Sequence, residues 1–234
     1  MMRLHVRLSA SLFAVAALVL CAGTRTQAQG STAQTSGNGA YVVVDPLANV
    51  RYDNRYDLSV GLAYQHIKAG PNILQGSNLG GIDLSASYWL SKHWALEGSG
   101  RSFLGTSGAA PNTLNIRGPF IQEHVFVAGP EWLGPHNKHG ALIAHVLVGG
   151  AYGKFEGDLH GNSPAIVDFY NDQIAPAAII GGHIDLNRSA HWAFRITPDA
   201  LLTRYAINYG SNITQTDINF GISVGVQYKF NKKR

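Results

Sequence analysis

Five charged side chains sit where a period-two pattern puts polar residues opposite an apolar face. They are Glu97 and Arg101 in one segment, Glu131 in the next, and Arg195 and Asp199 in a later one. Charges on the inward face of a closed sheet must pair with one another or be solvated. Gathered in one interior, these five make either an ion-pair network that fills a lumen or the lining of a gated polar pore. His145 and His183 belong to segments whose alternation is less regular. The ten histidines invite a metal or catalytic reading. His136, His139 and His191 lie near predicted turns, yet converging ligands are needed to hold an ion, and surface imidazoles are the expected state. No Ser/His/acid set falls on one face. The expectation is therefore no catalytic residue, no metal and no cofactor.

Positioning such groups requires strands, and the clearest is Thr214 to Phe230. Ile218, Phe220, Ile222, Val224, Val226, Tyr228 and Phe230 form one face; Asp217, Asn219, Gly221, Ser223, Gly225, Gln227 and Lys229 form the other. Side chains of a strand alternate between faces, so this is one long strand with two chemically opposite sides. Its length fits a tilted strand crossing ~25 Å of hydrocarbon. Seven more candidates precede it: Tyr56 to Lys68, Leu79 to Leu90, His93 to Phe103, about Arg117 to Trp132, Gly140 to Lys154, Ile174 to Leu186, and His191 to Tyr205. Eight strands in antiparallel hairpins suit a single-chain bacterial barrel, an all-β, up-and-down transmembrane fold.

Composition decides which face is outside. Only 14% of residues are charged, against ~25% in soluble domains. The polar faces are mostly Gly, Ser, Asn and Gln, which favours lipid outside and a tight polar lumen inside. A soluble barrel would turn its apolar face inward instead. At the N-terminus, Arg3, His5 and Arg7 precede an apolar run from Leu8 to Leu20 and a small-residue stretch, the layout of a secretory signal peptide ending at Ala28. Eighteen Lys and Arg less Arg3, Arg7 and Arg25 leave fifteen, against 14 acids, so the high isoelectric point is no argument for nucleic acid. Cys21 is the only cysteine, which excludes disulfides and cysteine metal sites after residue 28. Residues 29–55 read as a flexible periplasmic lead-in, 56–230 as the barrel and 231–234 as a C-terminal overhang. Tyr41–Val44 is a possible short strand, ended by Asp45-Pro46.

Connection lengths alternate. Ser91–His93, about Leu133–His139 and about Asn187–Ala190 are short; Pro71–Ser77, Gly105–Ile116, Glu156–Gln173 and Ile207–Ile213 are long and rich in Gly, Asn, Ser and Pro. Short periplasmic turns and longer exterior loops are the expected asymmetry. Trp89, Trp94, Trp132 and Trp192 flank the short turns, with Tyr228 and Phe230 at the same level. An indole is apolar but carries an N–H that wants a partner, so these six read as an aromatic girdle at one membrane interface. Lys68, Arg117, Lys154 and Arg204 fall at the opposite rim, where basic side chains can meet lipopolysaccharide phosphates.

Val226, Tyr228 and Phe230 resemble the aromatic-ended C-terminal signature of outer-membrane barrels. Residues 126–132, 143–151, 181–186, 192–196 and 199–205 are similar to the outer membrane protein beta-barrel domain family, akin to OmpX, the OmpA barrel and opacity-type proteins. The resemblance covers about residues 56–230. It implies an outer-membrane location, contact with lipid and lipopolysaccharide, and insertion by the assembly machinery through the last strand, as a monomer without nucleic-acid partners. It implies no common chemistry. Relatives often place a basic residue after the Gly-Pro at 129–130, where this chain has Glu131. The expected role is structural, adhesive or envelope-stabilising, carried by the loops. A narrow porin is the alternative, and a lipid A-modifying enzyme a second one, although the His-x-Ser arrangement of lipid A deacylases is missing at His145 and His183.

Overall fold

Apolar residues exposed on one side of each strand and polar residues buried on the other define the architecture. The computed structural model describes residues 34–35, 41–42, 45–71, 73, 75–110, 114, 116–206 and 214–230. The expected signal peptide (1–28), the overhang (231–234) and the last long connection lie outside the described residues. Two short strands, Gln34–Thr35 and Tyr41–Val42, pair antiparallel in a unit of their own that ends at Ala48.

The barrel strands are β1 (Tyr56–Ile67), β2 (Ser77–Trp89), β3 (Trp94–Thr106), β4 (Phe120–His136), β5 (Gly140–Lys154), β6 (Gln173–Asn187), β7 (Trp192–Ala206) and β8 (Thr214–Phe230). Each pairs antiparallel with its sequence neighbours, and β8 closes on β1, with Phe230 opposite Tyr56 and Phe220 opposite His66. This is a closed eight-stranded up-and-down barrel, the fold that the alternation predicts. Closure leaves no edge strand, so every strand finds two partners. The fourth strand runs later than expected, to His136, with a register shift between Leu133 and His136 at Gly134-Pro135. The turns at 90–93, 137–139 and 188–191 are short, and the connections at 68–76, 107–119 and 155–172 are long. The two ends are called the turn side and the loop side below.

The outward surface is apolar over the middle of the barrel. Val60, Leu84, Phe126, Val148 and Val224 are all more than half exposed. The inward surface is less uniform than expected. On the turn side it is mostly polar, with one small apolar cluster of Leu133, Ala141 and Ile143. On the loop side it is an apolar core containing Ile67, Leu79, Ile121, Leu147, Ile179 and Tyr205, joined by Ile73, Ile116, Leu159, Val167 and Phe169 from the loops. The long connection after β5 is folded inward rather than raised. It carries a short 3₁₀ turn at Pro164–Ile166, left-handed residues at His160, Gly161 and Asp168, and a Tyr170 N–H bond to the Ala69 carbonyl.

Candidate functional site: the charged lumen

Parity brings the site together. Glu97 and Arg101 point inward from β3, Glu131 from β4, His145 from β5, His183 and Asp185 from β6, and Arg195 and Asp199 from β7; all are buried. Arg101 donates to Asp199 and lies 3.5 Å from Asp83. Arg195 makes a two-pronged contact with Asp185 at 2.8 and 2.9 Å, a fork-on-carboxylate geometry that fixes both planes. Thus Arg101 and Asp199 meet directly. Arg195 instead takes Asp185, its cross-strand neighbour. Glu131, two residues from the bulged end of its strand, has no hydrogen-bond partner on either carboxylate oxygen among the described residues.

Two histidines complete the centre. His145 Nδ1 is 2.7 Å from Glu97 Oε2, and its Nε2 is 2.8 Å from Asp199 Oδ1. His183 Nδ1 is 2.8 Å from Thr197 Oγ1, and its Nε2 is 3.2 Å from the same Glu97 Oε2. The two rings meet edge to face at 4.6 Å. Gly181 makes room for this. A Cβ there would stand 1.8 Å from Asp199 Oδ1, so only glycine seats that carboxylate against His145. Alternation does not assign either histidine to the network, because inward Ile143, Leu147 and Ile179 are as apolar as their outward neighbours. His136, His139 and His191 do not converge. His136 instead meets the Tyr52 ring at a tilt, 4.7 Å between centroids, and His191 stacks on Tyr228 at 5.7 Å.

The lumen narrows to a floor at the turn side. Lys229 Nζ donates to Asn187 Oδ1 at 2.8 Å and lies 4.4 Å over the Tyr52 ring. Asn187 donates to the Tyr52 hydroxyl at 2.7 Å, and that hydroxyl donates to the Asn137 carbonyl at 3.0 Å. Tyr52, in the expected lead-in, is therefore a docked residue. Burial pushes its hydroxyl above the usual tyrosine range.

Of the girdle residues, Trp94, Trp132, Trp192 and Phe230 are exposed on the outer face. Trp94 and Trp132 are cross-strand partners, and Tyr228 lies 4.8 Å from both Trp192 and Phe230. Trp89 is a correction. It shares the inward parity of Ser85 and Ser87, packs on Leu133, Ala141 and Ile143, and donates its indole N–H to Asp57 at 2.6 Å. Its N–H found a buried carboxylate, so the ring turned into the lumen. At the loop side, Lys68, Arg117 and Arg204 are exposed and Lys154 half-buried.

A closed eight-stranded barrel, apolar outside and charged within, is the fold of small bacterial outer-membrane proteins. Among solved structures, the chain is similar to the outer membrane protein OprG from Pseudomonas aeruginosa, with 14% identity, 79% of this chain and 99% of that one covered, and a TM-score of 0.51. It is also similar to Ail, the attachment invasion locus protein of Yersinia pestis (16% identity, 76% and 99% covered, TM-score 0.46), and to Neisserial surface protein A (13%, 75% and 97%, 0.46). No protein-family model and no curated protein matches the chain.

Proposed function

We propose that this chain is an integral outer-membrane protein whose sealed barrel is a scaffold, with structural, adhesive or envelope-stabilising work done by its loops. The observation that carries the reading is the inversion of polarity: apolar side chains outside, buried charges inside. A water-soluble barrel has no reason to expose Phe126 and Val148 while burying Arg195. In this reading residues 1–28 direct export, the last strand is handed to the assembly machinery, and the barrel sits in the membrane as a monomer. Lys68, Arg117, Lys154 and Arg204 face lipopolysaccharide phosphates on the loop side.

The packed interior favours a scaffold over a narrow porin. An eight-stranded barrel is just wide enough for side chains to fill it, and here the apolar core and the loop after β5 fill the loop side. The pure protein is expected to give no sustained conductance steps in a planar bilayer; regular steps would overturn this point.

The face assignment is tested by one substitution. Val224 is in mid-strand and 52% exposed. Val224→Arg should lower stability by about 2–4 kcal/mol, the penalty for a cation at the bilayer midplane. Unfolding is followed by the shift in gel migration between unboiled and boiled samples in lipid. Unchanged stability would mean that Val224 does not face lipid.

One contact favours a second reading, a lipid A-modifying enzyme. Ser102 Oγ and His124 Nδ1 lie 2.9 Å apart on the outer face near the loop-side rim, with His124 stacked on Tyr152. A base beside a hydroxyl is the start of a nucleophile. Mass analysis of lipid A from cells with the gene, without it and with Ser102→Ala decides: no change in acylation removes the enzyme reading.

A further inference from the structure

Beyond the scaffold role, we propose that Glu97, His145 and His183 form an internal site for one divalent transition-metal ion of the zinc type. The site joins β3, β5 and β6 across the lumen. One ligand atom from each residue lies within 4.8 Å of the others, and all three side chains are buried.

Orientation carries the inference. A neutral imidazole donates from one nitrogen only. His145 has a carboxylate, Asp199, to take a proton from Nε2. His183 has the Thr197 hydroxyl to take one from Nδ1. In those neutral tautomers the lone pairs of His145 Nδ1 and His183 Nε2 both point at Glu97 Oε2, itself only an acceptor; without a metal, a proton on His145 takes that place between the two carboxylates. Three electron-pair donors thus converge on one point, which a proton on His145 or a divalent cation can occupy. Metal-bound histidines nearly always donate their other ring N–H to a carboxylate or another oxygen, which fixes the tautomer; Asp199 and Thr197 stand in those two places. Arg101 and the bare backbone of Gly181 in turn hold Asp199.

Distances and charge agree. Ligands at about 2.0–2.2 Å from zinc lie roughly 3.4 Å apart in a tetrahedron, so the present 2.7 and 3.2 Å contacts need open only slightly. Among the described residues, Glu97 Oε1 has no hydrogen-bond partner, and neither has either carboxylate oxygen of Glu131, the cross-strand partner of His145. Around the site six buried acids, Asp57, Asp83, Glu97, Glu131, Asp185 and Asp199, face three buried bases, Arg101, Arg195 and Lys229, and the buried His145 lies against two of the acids. A divalent cation offsets much of that excess. Two imidazoles and one carboxylate suit zinc or cobalt rather than calcium or magnesium. The fourth position is left to water.

The test uses the folded chain in detergent, unfolded in urea with a chelator and refolded with Co²⁺ or Zn²⁺. After gel filtration, about one ion per chain should remain, held by the two imidazoles and the carboxylate of a buried site. The cobalt form should show visible ligand-field absorption, and the unfolding midpoint should rise with metal. His183→Gln and Glu97→Gln should each lose the ion and the absorption, while His136→Gln, at the turn side, should keep both. If His183→Gln does not fold, Glu97→Gln decides alone. Metal-free refolded protein, or equal retention by the Gln variants, overturns the site.

Discussion

The two halves of the lumen are built on different principles. The turn-side half is held by charge: Arg101 on Asp199, Arg195 on Asp185, and His145 between two carboxylates. The loop-side half is held by apolar packing of Leu147, Ile179, Leu79 and Ile121 with side chains from three loops. Its few polar groups are matched locally. Glu123 accepts from Tyr205 at 2.6 Å and from Gln65 at 3.0 Å, and Tyr170 donates to Asp217 at 2.5 Å. The difference follows from what each half must close. The turn side is sealed by short turns that bring little side-chain volume, so long charged side chains bridge the lumen. The loop side receives whole loops, which supply enough apolar volume to pack.

The comparison predicts different responses to losing one group. In the charged half, Arg195→Met removes the cation from the Asp185 pair and leaves a buried carboxylate without its partner. This should lower stability by about 3–5 kcal/mol, read as unfolding by urea in detergent. The double variant Arg195→Met with Asp185→Leu should recover much of the loss, since an apolar pair of similar volume replaces a buried ion pair at little penalty. No recovery would mean that Arg195 serves Glu131 more than Asp185.

In the apolar half, Leu147→Ala should lower stability by about 2–5 kcal/mol through lost burial and the cavity left behind. No double variant of charges should rescue it. Measured by the same unfolding experiment, a loss well under ~1 kcal/mol would mean that the loop-side core collapses around the gap.

The same division explains what the sequence displayed and what it hid. The outward face was legible because lipid demands an unbroken apolar surface, and β8 alternates without error for that reason. The inward face answers only to the other side chains inside. Where those are small and polar, as in Ser85, Ser87 and Ser99, alternation survives and Glu97 and Arg101 are readable. Where the inward residues are themselves apolar, as in Ile143 and Leu147 on β5 or Ala175, Ala177 and Ile179 on β6, both faces look alike. His145 and His183 then stand in nearly continuous apolar runs with no parity to read. Trp89 is a different case. Its parity with Ser87 points inward while the general preference of Trp for interfaces points outward; Asp57, on a neighbouring strand, is the partner that draws the ring inward. The folding-in of residues 155–172 had no signal in spacing, because Leu159, Val167 and Phe169 are scattered among loop residues and acquire their meaning only from the gap that they fill.

The smallest effect concerns the seam between loop and barrel. Tyr170, fully buried in the loop after β5, donates to Asp217 of β8 and packs on Phe155 and Tyr205 at 5.6 and 5.5 Å. Tyr170→Phe keeps the ring and removes the hydroxyl, so stability should fall by about 1–3 kcal/mol, less than either substitution above. Burial first, and then the Asp217 hydrogen bond, push the Tyr170 hydroxyl well above its ordinary value of 10.0. A group raised in the folded state stabilises fully below its unfolded value and loses that contribution as pH rises past it. The native barrel should therefore lose stability above about pH 10, and Tyr170→Phe should flatten part of that slope while leaving the response below pH 9 parallel to the native curve. Identical alkaline slopes in the two proteins would place Tyr170 in water rather than in the apolar half. That would move the boundary between the two halves down into the barrel.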